Sequence, residues 1–191
     1  MPNSVLPRPD EQARLIDLRR SIDADEVMRQ AEGVEVHFVG GAVRDALLGR
    51  PPRDVDLAVA SDGARLAARL AARLGARLVR LGGERFASYR LVAGARVIDL
   101  WDREGAPLLA DLERRDFTLD AMALPLTAGA ALIDPHDGLA DLRAGCLRAT
   151  APTVFRADPL RVLRLARLVG EMEGAVAEVG TLALARAGSA G

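Results

Sequence analysis

The stretch "FVGGAVRDALLGRPPRDVDLAVA", residues 38–60, decides how the chain is read. It gathers Gly40, Gly41, Arg44, Asp54 and Asp56 into a segment that otherwise has the apolar content of folded core. Asp54 and Asp56 flank the start of a strand-like run, "VDLAVA" at 55–60. Residues two apart on a strand point to one face, with Cα atoms roughly 6.5–7 Å apart. Two carboxylates held that way repel unless a cation lies between them. Magnesium suits that place because it prefers oxygen ligands. A pair of divalent ions ~3.5–4 Å apart can grip both an attacking hydroxyl and a triphosphate. Standing alone, Asp-x-Asp is more often a turn acid followed by a solvent-facing strand acid.

The glycines change that balance. Gly40-Gly41 separates a buried-strand pattern, "VEVHFV" at 34–39, from a short helix, "AVRDALLG", closed by Gly49 as a C′ residue. Backbone N–H groups at such a junction stand clear of side chains and, with the helix N-terminus, form a phosphate cradle. Arg44, one turn into the helix, brings a charge to the phosphate. A triphosphate cradle about one strand from a metal-binding carboxylate pair is the combination that nucleotidyl transfer needs.

Outward from this segment the chain alternates helix and strand. A helix is expected over 9–31, an amphipathic helix over 62–75 with Ser61 or Asp62 as its cap, and strands over 77–81, 86–93 and 95–101. "PLLADLERRDFTLDAMAL" reads as mostly helical, followed by a short strand near 131–133. "LADLRAG" reads as a helix, "CLRAT" as a strand, and Asp158 to Met172 as a helix; the tail "GTLALARAGSAG" is weakly patterned. The order predicts a mixed α/β domain.

Composition narrows the function. The 191 residues are 50% hydrophobic and 28% charged, ordinary for a globular chain. All 26 basic residues are arginine, and the net charge of −1 excludes a polycationic nucleic-acid binder, so nucleic-acid contact must come from a local patch. One cysteine, Cys146, forbids an internal disulfide and suits a reducing cytoplasm. No apolar run approaches the ~18 residues of a membrane span, and the N-terminus lacks the layout of a signal peptide.

"GGAVRDALLGRPPRDVDLAV" resembles the signature of the tRNA nucleotidyltransferase/poly(A) polymerase family, in its bacterial-type branch of CCA-adding enzymes. Three further stretches resemble that family in its own order: "RRDFTLDAMAL" (114–124), "IDPHDGLADLRAGCLR" (133–148) and "FRADPLRVLRLAR" (155–167). The resemblance covers about residues 35–170. It implies a polymerase β-like nucleotidyltransferase head domain, a mixed sheet with flanking helices, followed by the start of a helical neck. The implied organisation is an N-terminal helical segment at 1–32, the head at 33–150, and a truncated neck at 151–191. It implies template-independent addition of C and/or A from CTP and ATP to a tRNA 3′ end with magnesium as cofactor. A poly(A) polymerase, or a nucleotide-binding head module without turnover of its own, stands as the alternative.

The resemblance also assigns residues. Asp54 and Asp56 are the metal ligands, and Asp99 in "RVIDLWD" is the candidate third catalytic acid; Asp102 lies off the alternation. Arg114, Arg115 and Asp116 fall in the ribose-recognition motif, although Asp116 also reads as a helix cap. The family's Asn at position 120 is Asp120 here. Asp158 and Arg161 fall where the family reads the incoming base, and i,i+3 spacing would put them on one helix face; a surface ion pair is the plain alternative. Ala157 replaces the family's glutamate. Arg164 and Arg167 extend a basic stripe. Phe86 and Tyr89 are read as part of a mobile loop over the site, while His37, His136 and Cys146 have no catalytic context. The apolar face of the 158–172 helix is expected to lack partners.

Overall fold

The structure is a computed structural model that describes residues 6–52, 54–83 and 87–188. The chain divides into two units. The larger holds Pro7–Leu108 and Ala123–Ile133; the smaller joins Leu109–Met122 to the chain from Asp134 onward.

In the larger unit, α1 (Pro9–Ser21) and α2 (Ala24–Ala31) replace the single expected helix over 9–31. The break falls at Asp23, which takes a left-handed conformation (φ 53°) and accepts a hydrogen bond from the Glu26 N–H at 3.3 Å, so it caps α2. Strand β1 (Val36–Val39) leads through Gly40 into α3 (Gly41–Leu47), whose C′ residue is Gly49 at φ 72°. Arg14 Nη1 donates to the Leu47 carbonyl at 2.7 Å and satisfies part of the end of α3. Then follow β2 (Val55–Val59), α4 (Gly63–Leu74), β3 (Arg77–Leu81), β4 (Ser88–Ala93) and β5 (Arg96–Asp102). Phe86 lies outside the described residues, whereas Tyr89 belongs to β4.

The sheet has six strands in the order β3-β4-β5-β2-β1-β6, where β6 is Ala123–Pro125. Only β2 and β5 run parallel; every other neighbouring pair is antiparallel. Parallel neighbours need a long crossover, supplied here by α4 and the β3–β4 hairpin. On β2, Val55, Leu57 and Val59 are buried on the face opposite Asp56. Leu57, Leu91 and Leu100 continue that buried layer across β2, β4 and β5, together with Phe38 of β1. The helix α4 buries Leu66, Ala67 and Leu70. Its N-terminus is capped by Asp102 Oδ2, which accepts the Gly63 N–H at 2.8 Å, and not by the side chain of Ser61 or Asp62.

Strand β6 (Ala123–Pro125) corrects the expected continuation of helix to residue 124. The helical stretch ends much earlier, in α5 (Leu108–Leu112) and a single 3₁₀ turn at Thr118–Asp120. Ala123–Pro125 pairs instead with β1 at the sheet edge, a place where proline is tolerated. Ile133 makes only a bridge to Ala123 in place of a strand.

The smaller unit packs Leu112, Phe117, Leu119, Met122, Leu139, Leu147 and Phe155 as its core. Phe117 and Phe155 stack tilted, with ring centres 6.3 Å apart. Its elements are α6 (Gly138–Ala144), β7 (Cys146–Leu147), α7 (Val154–Ala157), α8 (Arg161–Glu171), β8 (Val176–Ala177) and α9 (Val179–Gly188). The expected strand over "CLRAT" shrinks to β7, which pairs with β8. The expected 158–172 helix starts only at Arg161, because Pro159 drives the residue before it out of the helical region and Asp158 is extended (φ −153°, ψ 102°). Leu160 and Leu163 are exposed.

"DPHDG" is a capping device. Both Asp134 oxygens accept N–H bonds at the start of α6, from Gly138 at 2.7 Å and Leu139 at 2.9 Å. A Cβ on Gly138 would stand 2.2 Å from the Thr118 carbonyl oxygen, a backbone atom that cannot swing away. Gly138→Ala is therefore expected to cost more than about 3 kcal/mol; urea denaturation measures it, and a variant as stable as wild type would refute the close backbone contact.

Candidate active site

One cluster of the expected residues lies in the larger unit. Gly40 adopts φ 65° and ψ −137°, a conformation natural to glycine alone, and turns the chain from β1 into α3. Gly41 is the first residue of α3. Arg44 is buried and folds back along its own helix: a Cβ on Gly41 would meet Arg44 Nη2 at 3.3 Å. Its Nε donates to Asp45 Oδ1 at 2.9 Å. The guanidinium is thus held at the glycine turn.

Asp56 of β2 and Asp99 of β5 are in-register partners on the two parallel strands, so their side chains emerge side by side on one face. Asp54 is exposed in the bend directly before β2, near enough for its charge to act on Arg90. The sequence reading missed the fourth member, Arg90. It is the in-register partner of Asp99 on β4 and donates twice to it, Nε to Oδ1 at 2.8 Å and Nη2 to Oδ2 at 2.6 Å. Asp99 raises the Arg90 pKa above its ordinary value, and the fields of Asp54 and Asp56 act in the same direction. Arg90 lies in no motif; only knowledge of the strand register could have found it. Asp102, on the opposite face, serves α4.

Asp54 and Asp56 fit a divalent cation by donor chemistry: both offer the hard oxygens that magnesium takes. Among the described residues no three acids, histidines or cysteines converge on one point, and both Asp99 oxygens face Arg90. The fit is to a pair of carboxylates, with the remaining ligands to come from water or a phosphorylated substrate.

The second cluster lies in the smaller unit and brings Arg114, Arg115 and Asp116 together with Asp158, Arg161 and Arg164. Asp111 accepts Arg115 Nη2 at 3.0 Å and lies 3.8 Å from Arg114, an i,i+4 and i,i+3 arrangement that "DLERR" already contained. Thr150 holds the turn from the other side: its Oγ1 donates to the Arg115 carbonyl and its N–H to the Asp116 carbonyl at 3.1 Å. Arg161 Nη2 donates to the Arg114 carbonyl at 2.9 Å, tying the two motifs to one another.

Asp116 is 4% exposed. Its Oδ1 accepts the Phe117 N–H at 3.1 Å, and Arg164 Nε lies 2.6 Å from Oδ2. That N–H is not directed at the oxygen, so Oδ2 has a charge partner but, among the described residues, no hydrogen-bond donor. Asp158 and Arg161 remain neighbours, with Nε 3.8 Å from Oδ2, but they do not share a helix face: Asp158 precedes α8 and its Oδ1 accepts the Leu160 N–H at 3.0 Å. Burial pushes the His37 imidazole pKa down and the Cys146 thiol pKa up.

The chain matches the family described as the Poly A polymerase head domain over residues 36–101 and 96–148. It belongs to that family. Among relatives, it is 38% identical over 160 residues to the CC-adding tRNA nucleotidyltransferase of Geobacter sulfurreducens, covering 80% of this chain and 35% of that protein. It is 35% identical over 155 residues to the CCA-adding enzyme of Lactiplantibacillus plantarum, covering 75% and 38%. Of solved structures, the Thermotoga maritima CCA-adding enzyme complexed with tRNA aligns with a TM-score of 0.76 and 31% identity, over 94% of this chain and 45% of that one. A tRNA nucleotidyltransferase complexed with a primer tRNA and an incoming ATP analog aligns with a TM-score of 0.75 and 32% identity, over 87% and 49%. The chain therefore spans between a third and a half of the proteins it resembles, and its α/β fold with a mixed six-stranded sheet is that of their head domains.

The bond from the Leu160 N–H to Asp158 Oδ1 generates a stability test. Asp158→Ala is expected to lower the unfolding free energy by about 1 kcal/mol, the usual worth of one hydrogen bond. A thermal or urea midpoint identical to wild type would show that the Leu160 N–H bond carries no stability.

Proposed function

We propose that this chain is the nucleotidyl-transfer head of a template-independent RNA nucleotidyltransferase that adds C and/or A to a tRNA 3′ end from CTP and ATP. The observation that carries the reading is a pair of acids side by side on one sheet face: Asp56 and Asp99 are in-register partners on β2 and β5, and Asp54 directly precedes β2. In the reaction a bond forms between the terminal ribose 3′ oxygen and the α-phosphorus of the nucleotide, and pyrophosphate leaves. Magnesium held by Asp54 and Asp56 supplies Lewis acidity to the attacking hydroxyl and charge neutralisation to the triphosphate. Gly40 and Gly41 present backbone N–H groups to phosphate, and Arg44 adds its fixed charge there. Asp99 supports the site as a carboxylate held by Arg90.

Recognition of the nucleotide falls to the smaller unit's cluster. The buried Asp116 Oδ2, without a hydrogen-bond donor, suits a ribose 2′-hydroxyl. Asp158 accepts from the exocyclic amine that C and A share, and Arg161 donates to the ring nitrogen acceptor they share; U and G present the opposite polarity at those positions. Arg164 adds positive charge against Asp116, and Arg114 and Arg115, which pair with Asp111, add theirs for the nucleotide. No helix of the described residues is long and apolar enough to cross a membrane.

Incubation with labelled CTP or ATP, magnesium and tRNA lacking its CCA end tests the reading. Ordered, limited addition is expected. Long A-tails would make the chain a poly(A) polymerase, and nucleotide binding without transfer would make it a head module completed elsewhere.

Asp54→Ala and Asp56→Ala are each expected to abolish transfer in a folded protein, and full activity in either would refute the metal-pair reading. Asp116→Ala should reduce the preference for ATP over dATP about ten- to hundred-fold, the worth of one charge-assisted hydrogen bond. An unchanged ATP/dATP ratio would return Asp116 to a purely structural role.

A further inference from the structure

The row of acids does not stop at Asp99. In-register pairing carries it from Asp56 on β2 through Asp99 on β5 to Arg90 on β4, so three neighbouring strands place three charges in a line on one face. A guanidinium keeps its charge at any working pH and matches a carboxylate with two parallel bonds. Both bonds are made here. Arg90 is 42% exposed and Asp99 16%, so the pair sits at the rim of the face and not beneath it. Both Asp99 oxygens are therefore occupied by a cation of the chain itself.

We propose that Arg90 is a positioning residue of the metal pair: it keeps Asp99 out of the ligand set, and its charge sets the divalent affinity of Asp54 and Asp56. The proposal rests on the reading of those two aspartates as the metal ligands. Arg90 and Asp99 act as a neutral unit beside the cation site. Losing the arginine alone adds a bare carboxylate to the site. Losing the aspartate alone leaves a bare cation one strand from Asp56. Losing both leaves the local charge unchanged.

The chain carries its own probe. Trp101 is the only tryptophan, two residues beyond Asp99 on β5 and so on the same face, in register with Ala58 of β2. Paramagnetic Mn²⁺ bound at the carboxylate pair quenches its fluorescence. The experiment titrates the 191-residue chain with Mn²⁺ alone and reads Trp101, in wild type and variants, with unfolding midpoints recorded for each. Arg90→Gln is expected to tighten Mn²⁺ about three- to ten-fold, a modest change because the exposed charge is screened. Asp99→Asn should weaken it by a similar factor, the double variant should return to within about two-fold of wild type, and Arg90→Lys should fall between wild type and Arg90→Gln, because the charge is kept but the two parallel bonds are not.

A double variant that binds as weakly as Asp99→Asn would make Asp99 itself a ligand and overturn the proposal. So would equal affinity in wild type and Arg90→Gln, or Arg90→Lys tightening as much as Arg90→Gln. If wild type shows no Mn²⁺ quenching that Asp56→Asn removes, the metal-pair reading fails, and the Arg90 proposal falls with it. Quenching that depends on Asp56 but not on Arg90 overturns the Arg90 proposal alone.

Discussion

Carboxylates on adjacent strands repel, and β2 and β5 align theirs in register. The remainder of the larger unit is arranged around that juxtaposition. Parallel pairing of the two strands requires the chain to leave β2, cross over through α4 and return through the β3–β4 hairpin. The returning hairpin delivers Arg90 to the far side of Asp99, where a cation relieves the repulsion. The opposite face of the same strands is apolar and buried, which pins the register: a slip of one residue would turn the aspartates into the core and Leu57 and Leu100 into solvent. The charge cluster is stable because the hydrophobic layer beneath it admits no other alignment.

The smaller unit meets a different constraint with the same economy. Its motifs come from distant parts of the chain, and hydrogen bonds to backbone carbonyls join them. Arg161 reaches the Arg114 carbonyl, and Thr150 reaches the carbonyls of Arg115 and Asp116. Asp141 accepts from Thr118 Oγ1 at 2.7 Å and from Arg148 Nε at 3.0 Å, so the segment after Asp116 is tied to α6 and β7. Much of what a motif preserves here is architectural. Asp134 caps a helix, Gly138 admits the Thr118 backbone, and Asp111 orients Arg115. The residues proposed to face a nucleotide are fewer: Asp116 with its underused oxygen, the half-exposed Arg164, and the Asp158–Arg161 pair.

Proline and charge explain where local reading went astray. Helical periodicity in Leu160, Leu163, Leu165 and Leu168 suggested a helix from Asp158, but Pro159 forbids a helical Asp158, so the periodic pattern begins before the helix does. "DFTLDAMAL" has good helix formers, yet Ala123–Pro125 becomes a strand because β1 offers an open edge for it to pair with. Propensity lost to tertiary pairing there. The break between α1 and α2 at Asp23 likewise follows from a capping acid in a left-handed turn, a signal that the surrounding apolar spacing concealed.

The sequence by itself determined the family, the α/β class, the glycine turn before α3 and the identity of most charged residues in both clusters. These are local matters: a motif, a period of two or 3.6, a glycine where φ must be positive. Only the tertiary structure decided that Asp99 stands beside Asp56, that Arg90 occupies Asp99, and that Asp116 meets Arg164. Those facts depend on which strands pair and in which register. Pairing between segments far apart in the chain is settled by the burial of a shared apolar face and by long-range hydrogen bonds, neither of which any short stretch of sequence records.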